Sequence, residues 1–102
     1  MATDASLTKA QCAKLAGVAQ DGLARAIRPA HSMFDGDTIF GVATGSGATA
    51  SPLEFHAILL AAADCFSRAV VHAVLSASSV TTPAGSWLSY LDLFPSADGR
   101  RR

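Results

Sequence analysis

The chain has 102 residues, 51 of them apolar, and 21 of those 51 are alanine. Eight Lys plus Arg balance eight Asp plus Glu. A balanced chain lacks the cationic face that phosphate neutralisation demands, so nucleic acid is not an expected partner. With half its residues apolar and 16% charged, it is not a disordered tail either, and its length suits one domain over residues 1–102.

Residues 1–7 read as a lead-in. The first helix opens with a capping box, Thr8 as N-cap and Gln11 at the third helical position. Its apolar side runs Cys12, Leu15, Ala16, Ala19, Leu23, Ala26 and Ile27, and Pro29 places its end near Arg28. Asp21 and Arg25 stand four apart and are spaced to pair. Gly17 and Gly22 weaken the helix unless something packs closely against them.

A loop follows over 29–37, then a strand over 38–44, apolar at Ile39, Phe40 and Val42 on both faces, as for a central, doubly covered strand. Residues 45–50 form a Gly-rich turn. The second helix has its own capping box, Ser51 as N-cap with Pro52 first and Glu54 third. Its core stripe is Phe55, Leu59, Ala62, Phe66, Ala69 and Ala73, with Asp64, Arg68 and His72 as a polar stripe. Residues 55–75 are long enough to cross a membrane, but a central Asp or Arg costs about 2.5–3.5 kcal/mol there. No membrane association is expected. Residues 80–86 read as a loop, Trp87 to Pro95 as an aromatic docking tail, and Arg100 to Arg102 as a basic tip. The order is two helices, one clear strand and a tail, and an isolated strand is not stable. The chain therefore either borrows strands from a partner or is one piece of a larger α/β fold.

Phe34-Asp35-Gly36-Asp37-Thr38 carries the sharpest chemical signal. In an extended segment Asp35 and Asp37 face one side with Cα atoms about 6.6 Å apart. Like charges that close raise one pKa, which suits positioning a nucleophile or handling its proton. The same residues are also good turn chemistry. Gly45-x-Gly47-x-x-Ala50 fits a loose dinucleotide pattern, but the second strand with its acidic ribose ligand is missing. Cys65, His72, His31 and His56 lack metal-ligand spacing. No metal and no cofactor are expected. Cys12 and Cys65 read as reduced core thiols, and the start lacks a signal-peptide pattern, so a cytoplasmic location is expected.

Several runs together resemble one family. They are Leu7-Thr8-Lys9-Ala10-Gln11-Cys12-x-x-Leu15-Ala16, Asp21 through Pro29-x-His31, Phe34 through Phe40, and Ala43-Thr44-Gly45. Ala69-Val70-Val71-His72-Ala73 and Ser89-Tyr90-x-Asp92-Leu93-Phe94-Pro95 extend the likeness. The chain resembles the C-terminal part of the DmpA-type L-aminopeptidase/D-esterases, with their β-peptidyl aminopeptidase and nylon-oligomer hydrolase relatives. The resemblance implies an αββα sandwich of the N-terminal-nucleophile type, in which a precursor cuts itself before a Ser or Thr that then becomes the nucleophile. Ala2-Thr3-Asp4 matches the end of the nucleophile-bearing strand, and Asp35 and Asp37 match the acidic pair near the nucleophile. The nucleophile itself has no counterpart here.

The resemblance thus implies a small-subunit fragment of an amide hydrolase, inactive alone. Its partners would be the large-subunit portion of the same precursor, homo-oligomer neighbours and a peptide or amide substrate. The rival expectation is a non-catalytic helical module that self-associates or complements a partner.

Overall fold

The computed structural model describes residues 1–99; the basic tip expected at Arg100 to Arg102 lies outside them. The chain forms two compact units, Met1–Arg68 and Ala69–Arg102.

In the first unit, strand β1 (Ala2–Thr3) pairs in parallel with β2 (Val42–Ala43), Ala2 opposite Val42 and Thr3 opposite Ala43. Val42 N–H donates to the Met1 carbonyl at 2.9 Å, Thr44 N–H to the Thr3 carbonyl at 3.0 Å, and the Met1 ammonium to the Phe40 carbonyl at 2.7 Å. The lead-in is therefore a strand, and the sheet that seemed to lack a second member finds it at the N-terminus. Parallel strands need a crossover, and helix α1 (Lys9–Ala26) supplies it.

The helix starts where its cap dictates. Thr8 Oγ1 accepts from Gln11 N–H at 3.2 Å, and Gln11 Oε1 accepts from Thr8 N–H at 2.9 Å. One stripe of α1 is buried at Leu15, Ala19, Gly22 and Leu23. Leu15 is the largest fully buried side chain among the described residues, and its burial contributes about 1.5–3 kcal/mol.

Helix α2 (Pro52–Ser76) opens on the expected box: Ser51 N–H donates to Glu54 Oε2 at 2.8 Å and Glu54 N–H to Ser51 Oγ at 3.4 Å. Within the first unit its buried residues are Ala62 and Ala63. Alanines on one helix facing a glycine on the other let two backbones meet closely. At Gly22 an added methyl would run into the Ala63 carbonyl and come within 3.0 Å of Phe66 Cβ, whereas at Gly17 it would meet nothing. Arg25 reaches across to Asp64 at 2.6 Å rather than pairing along its own helix with Asp21. By length and composition α2 could cross a membrane. Asp64, in that ion pair, and Arg68 sit in its middle.

Two sequence expectations change here. The 38–44 strand shrinks to Val42–Ala43, and Phe40 and Val42 are exposed rather than covered on both faces. A β segment is regular only as far as a neighbour supplies ladder hydrogen bonds, and β1 supplies two residues' worth. Cys65 is exposed and Cys12 half-buried, so neither is the core thiol expected; both are free.

The second unit carries a hairpin where a loop was expected. β3 (Val80–Thr82) pairs antiparallel with β4 (Gly85–Trp87) across a two-residue turn, Pro83-Ala84. Thr82 Oγ1 accepts from Ala84 N–H at 3.2 Å and steadies that turn. Helix α3 (Tyr90–Leu93) follows, then a 3₁₀ turn at Pro95–Ala97. The α3 cap is a small polar knot: Ser89 Oγ accepts from Asp92 N–H and donates to Asp92 Oδ2 at 2.9 Å, and Ser79, bonded to the same carboxylate, accepts from Ser89 N–H at 2.8 Å. The expected docking tail is thus a capped turn of helix, with Tyr90 and Phe94 rings 5.1 Å apart.

Candidate functional site

The loop between α1 and β2 holds the two acids singled out from sequence. It turns first at Asp35, whose N–H donates to the Ser32 carbonyl at 3.2 Å. The Asp35 carboxylate then gathers backbone donors from both sides. Oδ2 accepts from His31 N–H at 2.6 Å, and Oδ1 from Asp37 N–H at 3.4 Å. A carboxylate that accepts N–H donors favours its charged form.

Asp37 lies beside it, the two carboxyls joined by a side-chain hydrogen bond. That bond, helped by the His31 N–H, holds Asp35 below the usual carboxylate range. The same bond, together with slight desolvation of Asp37 and the negative charge of Asp35, pushes Asp37 above it. The two acids are thus pushed apart, Asp35 toward its ionised form and Asp37 toward its protonated one. The turn lies at Met33-Phe34, just before the acids, and Asp35-Gly36-Asp37 itself is neither strand nor helix; the Asp37 N–H on the Asp35 carboxylate keeps the two acids together. Such a pair can hand a proton to a neighbouring group and take it back.

His31 was named in the sequence runs without a role. It has φ +58°, the one non-glycine residue with positive φ among the described residues, and its Nε2 lies 3.3 Å from the Gln20 carbonyl of α1. Nothing in residue order signals this, because the contribution to Asp35 is a backbone N–H whose direction depends on φ. Flanking the acids, Met33 and Phe34 are 93% and 97% exposed.

The rival constellations do not assemble. Gly45 packs against the backbone of Asp4, Ala5 and Ser6, so its lack of a side chain serves packing. The first turn of α2 holds the Glu54 carboxylate, kept below the usual range by Ser51 N–H, where a dinucleotide would need room for a phosphate. Cys65 lines an open apolar cleft of about 200 Å³ with Met1, Ala2, Thr3, Leu15 and Ile58. Among the described residues no three His, Cys, Asp or Glu side chains are grouped to hold a metal ion.

With this geometry in hand, similarity to known proteins defines the class. The chain belongs to a peptidase family: the family described as Peptidase family S58 matches residues 1–88. An uncharacterized aminopeptidase of Mycobacterium tuberculosis (strain ATCC 25618 / H37Rv) is 43% identical over 110 residues, covering 97% of this chain and 31% of that protein. An uncharacterized aminopeptidase of Mycobacterium bovis shows the same identity and coverage, and one of Mycobacterium leprae is 42% identical over 97% of this chain and 29% of its own length. The chain spans about a third of the length of these relatives.

Proposed function

We propose that this chain is the small-subunit portion of a DmpA-type amide hydrolase, an aminopeptidase or oligomer hydrolase built as an αββα N-terminal-nucleophile sandwich. Asp35 and Asp37 orient the nucleophile and handle its proton. The observation that carries this is the pair of acids brought side by side in the loop after α1, with the Asp37 and His31 N–H groups on the Asp35 carboxylate, within the stretch matched by the peptidase family. The nucleophile, which in such a hydrolase heads the small subunit, has no counterpart in these residues, and the substrate pocket would come from the large-subunit portion of the precursor. Alone, the chain is inactive. The free thiols Cys12 and Cys65 fit a reducing, cytoplasmic setting, and α2 is read as a helix covering a sheet, not a membrane span.

The chemistry follows from the pair. A Ser or Thr nucleophile whose own α-amine serves as base needs its proton taken at attack and returned to the leaving amine. Asp35, ionised, orients that amine by accepting from it. Asp37, the member of the pair whose pKa is raised, is the one placed to supply a proton as negative charge develops. General acid–base groups of this kind contribute about 10²–10⁴-fold in rate. In the assembled enzyme, Asp37→Asn and Asp35→Asn should each lower kcat/KM on an amino-acid p-nitroanilide by about that factor. The 102-residue chain should show no turnover. Turnover by the pure chain, abolished by Asp37→Ala, would prove the inactivity wrong; an assembled enzyme indifferent to both Asn substitutions would remove the catalytic role.

A second reading, a non-catalytic module that self-associates or complements a partner, draws on the exposed apolar side chains Phe34, Phe40, Leu53 and Leu60. Full activity of the assembled enzyme in the Asn variants would favour it.

A further inference from the structure

We propose that His31 is the positioning residue of the acidic pair: its backbone aims an N–H at Asp35 while its ring ties the loop to α1. The proposal rests on the reading of Asp35 and Asp37 as the working acids.

The geometry has two anchors on opposite sides of one residue. On the backbone side, φ +58° turns the His31 N–H toward Asp35 Oδ2 at 2.6 Å. Histidine tolerates the left-handed region better than most residues, but few non-glycine residues stay there, and β-branched ones are outliers. On the side-chain side, Nε2 lies 3.3 Å from the Gln20 carbonyl. A carbonyl only accepts, so Nε2 is the donor in this contact. The ring therefore fixes the residue against the helix, and the fixed residue holds the carboxylate.

The consequence is a choice between two chemically identical acids. With Oδ2 held by His31 N–H and Oδ1 by Asp37 N–H, both Asp35 oxygens have backbone donors and the anion stays there. Among the described residues no such pair of donors reaches Asp37, which is left as the member to carry the proton. The charged groups acting on Asp37 are Asp35, which disfavours its ionisation, and the His31 ring, which favours it. His31 thus acts on the acids through both backbone and ring without itself touching the reacting atoms.

The test is a carboxyl-carbon NMR titration of Asp35 and Asp37 in the chain Met1–Arg102, compared with two variants. His31→Val disfavours φ > 0 and removes the ring. His31→Gly keeps the backbone freedom and the N–H but removes the ring. Asp35 should titrate below Asp37 in the parent chain. In H31V the Asp35 midpoint should rise toward an ordinary value of about 3.9. In H31G the Asp35 midpoint should rise by less. Midpoints unchanged in H31V, or an Asp35 that titrates with Asp37 in the parent chain, overturn the proposal. If H31V does not fold, H31G decides: unchanged midpoints there overturn it. Because the titration involves no turnover, it separates failure of this inference from failure of the hydrolase reading, which the Asp→Asn rate measurements detect.

Discussion

Asp35 and Asp37 differ by two positions in the chain and by the direction in which the loop moves their protons. Asp35 is depressed, so its contribution to loop stability is present above the ordinary carboxylate pKa and is lost as pH falls through its lowered value. Asp37 is raised, so its contribution is complete below the ordinary value and is lost as pH rises through its raised one. The two contributions therefore respond to pH in opposite senses. Replacing Asp35 by Asn should return Asp37 toward the ordinary range, because the acceptor charge that retained its proton is gone; an NMR titration reads this directly. An Asp37 midpoint that stays raised in D35N would mean that desolvation, not the neighbour, governs it. The pair itself was legible in the sequence, since two carboxylates around a glycine admit few arrangements. His31 was not, because a backbone dihedral leaves no mark on residue order.

At the scale of the elements, the helix starts were the most readable features. Thr8 with Gln11 and Ser51 with Glu54 each form the reciprocal box their spacing implies. Glu54 is held below its ordinary range by the Ser51 N–H, so this cap stays intact above that range and weakens as pH falls through the lowered value. The two α1 glycines were not readable apart, although their structural roles are opposite. Gly22 faces the Ala63 carbonyl and Gly17 faces open space. Gly22→Ala should therefore destabilise by about 1–3 kcal/mol through overpacking, while Gly17→Ala should stabilise by about 0.5–1 kcal/mol through helix propensity. Urea unfolding of both variants checks the pair, and equal signs would contradict the close approach of the two helices. The hairpin escaped because Pro83 and Gly85 spoke for a loop. They occupy the turn and its edge, while Thr81 and Thr82 supply the β-branched ladder, with Thr81 and Ser86 hydroxyls 3.0 Å apart across it. The Arg25–Asp64 ion pair contributes little, about 0–1 kcal/mol, because both side chains are more than half exposed.

For the whole molecule, the informative quantity is apolar surface left in water. Phe34, Phe40, Leu53, Leu60, Leu88 and Trp87 are all more than half exposed, while the described core is Leu15, Leu23 and three alanines. A sequence that is half apolar would be expected to bury more than this: the expected central strand is exposed at Phe40 and Val42, and of the α2 stripe Ala62 is buried, Phe55, Leu59 and Phe66 are half-buried and Ala69 and Ala73 are exposed. The relatives run to about three times this length, and we propose that their further residues cover these faces. The isolated chain should then associate through them. Light scattering should give a mass above the 10.4 kDa monomer that grows with concentration, and a hydrophobic dye should brighten on binding. Replacing Leu53 and Leu60, both on α2, by Gln should reduce both signals without lowering helix content by circular dichroism, because neither side chain belongs to the described core. A concentration-independent monomer that leaves the dye dark would show that these faces need no cover, and the argument for a partner would lose its physical basis.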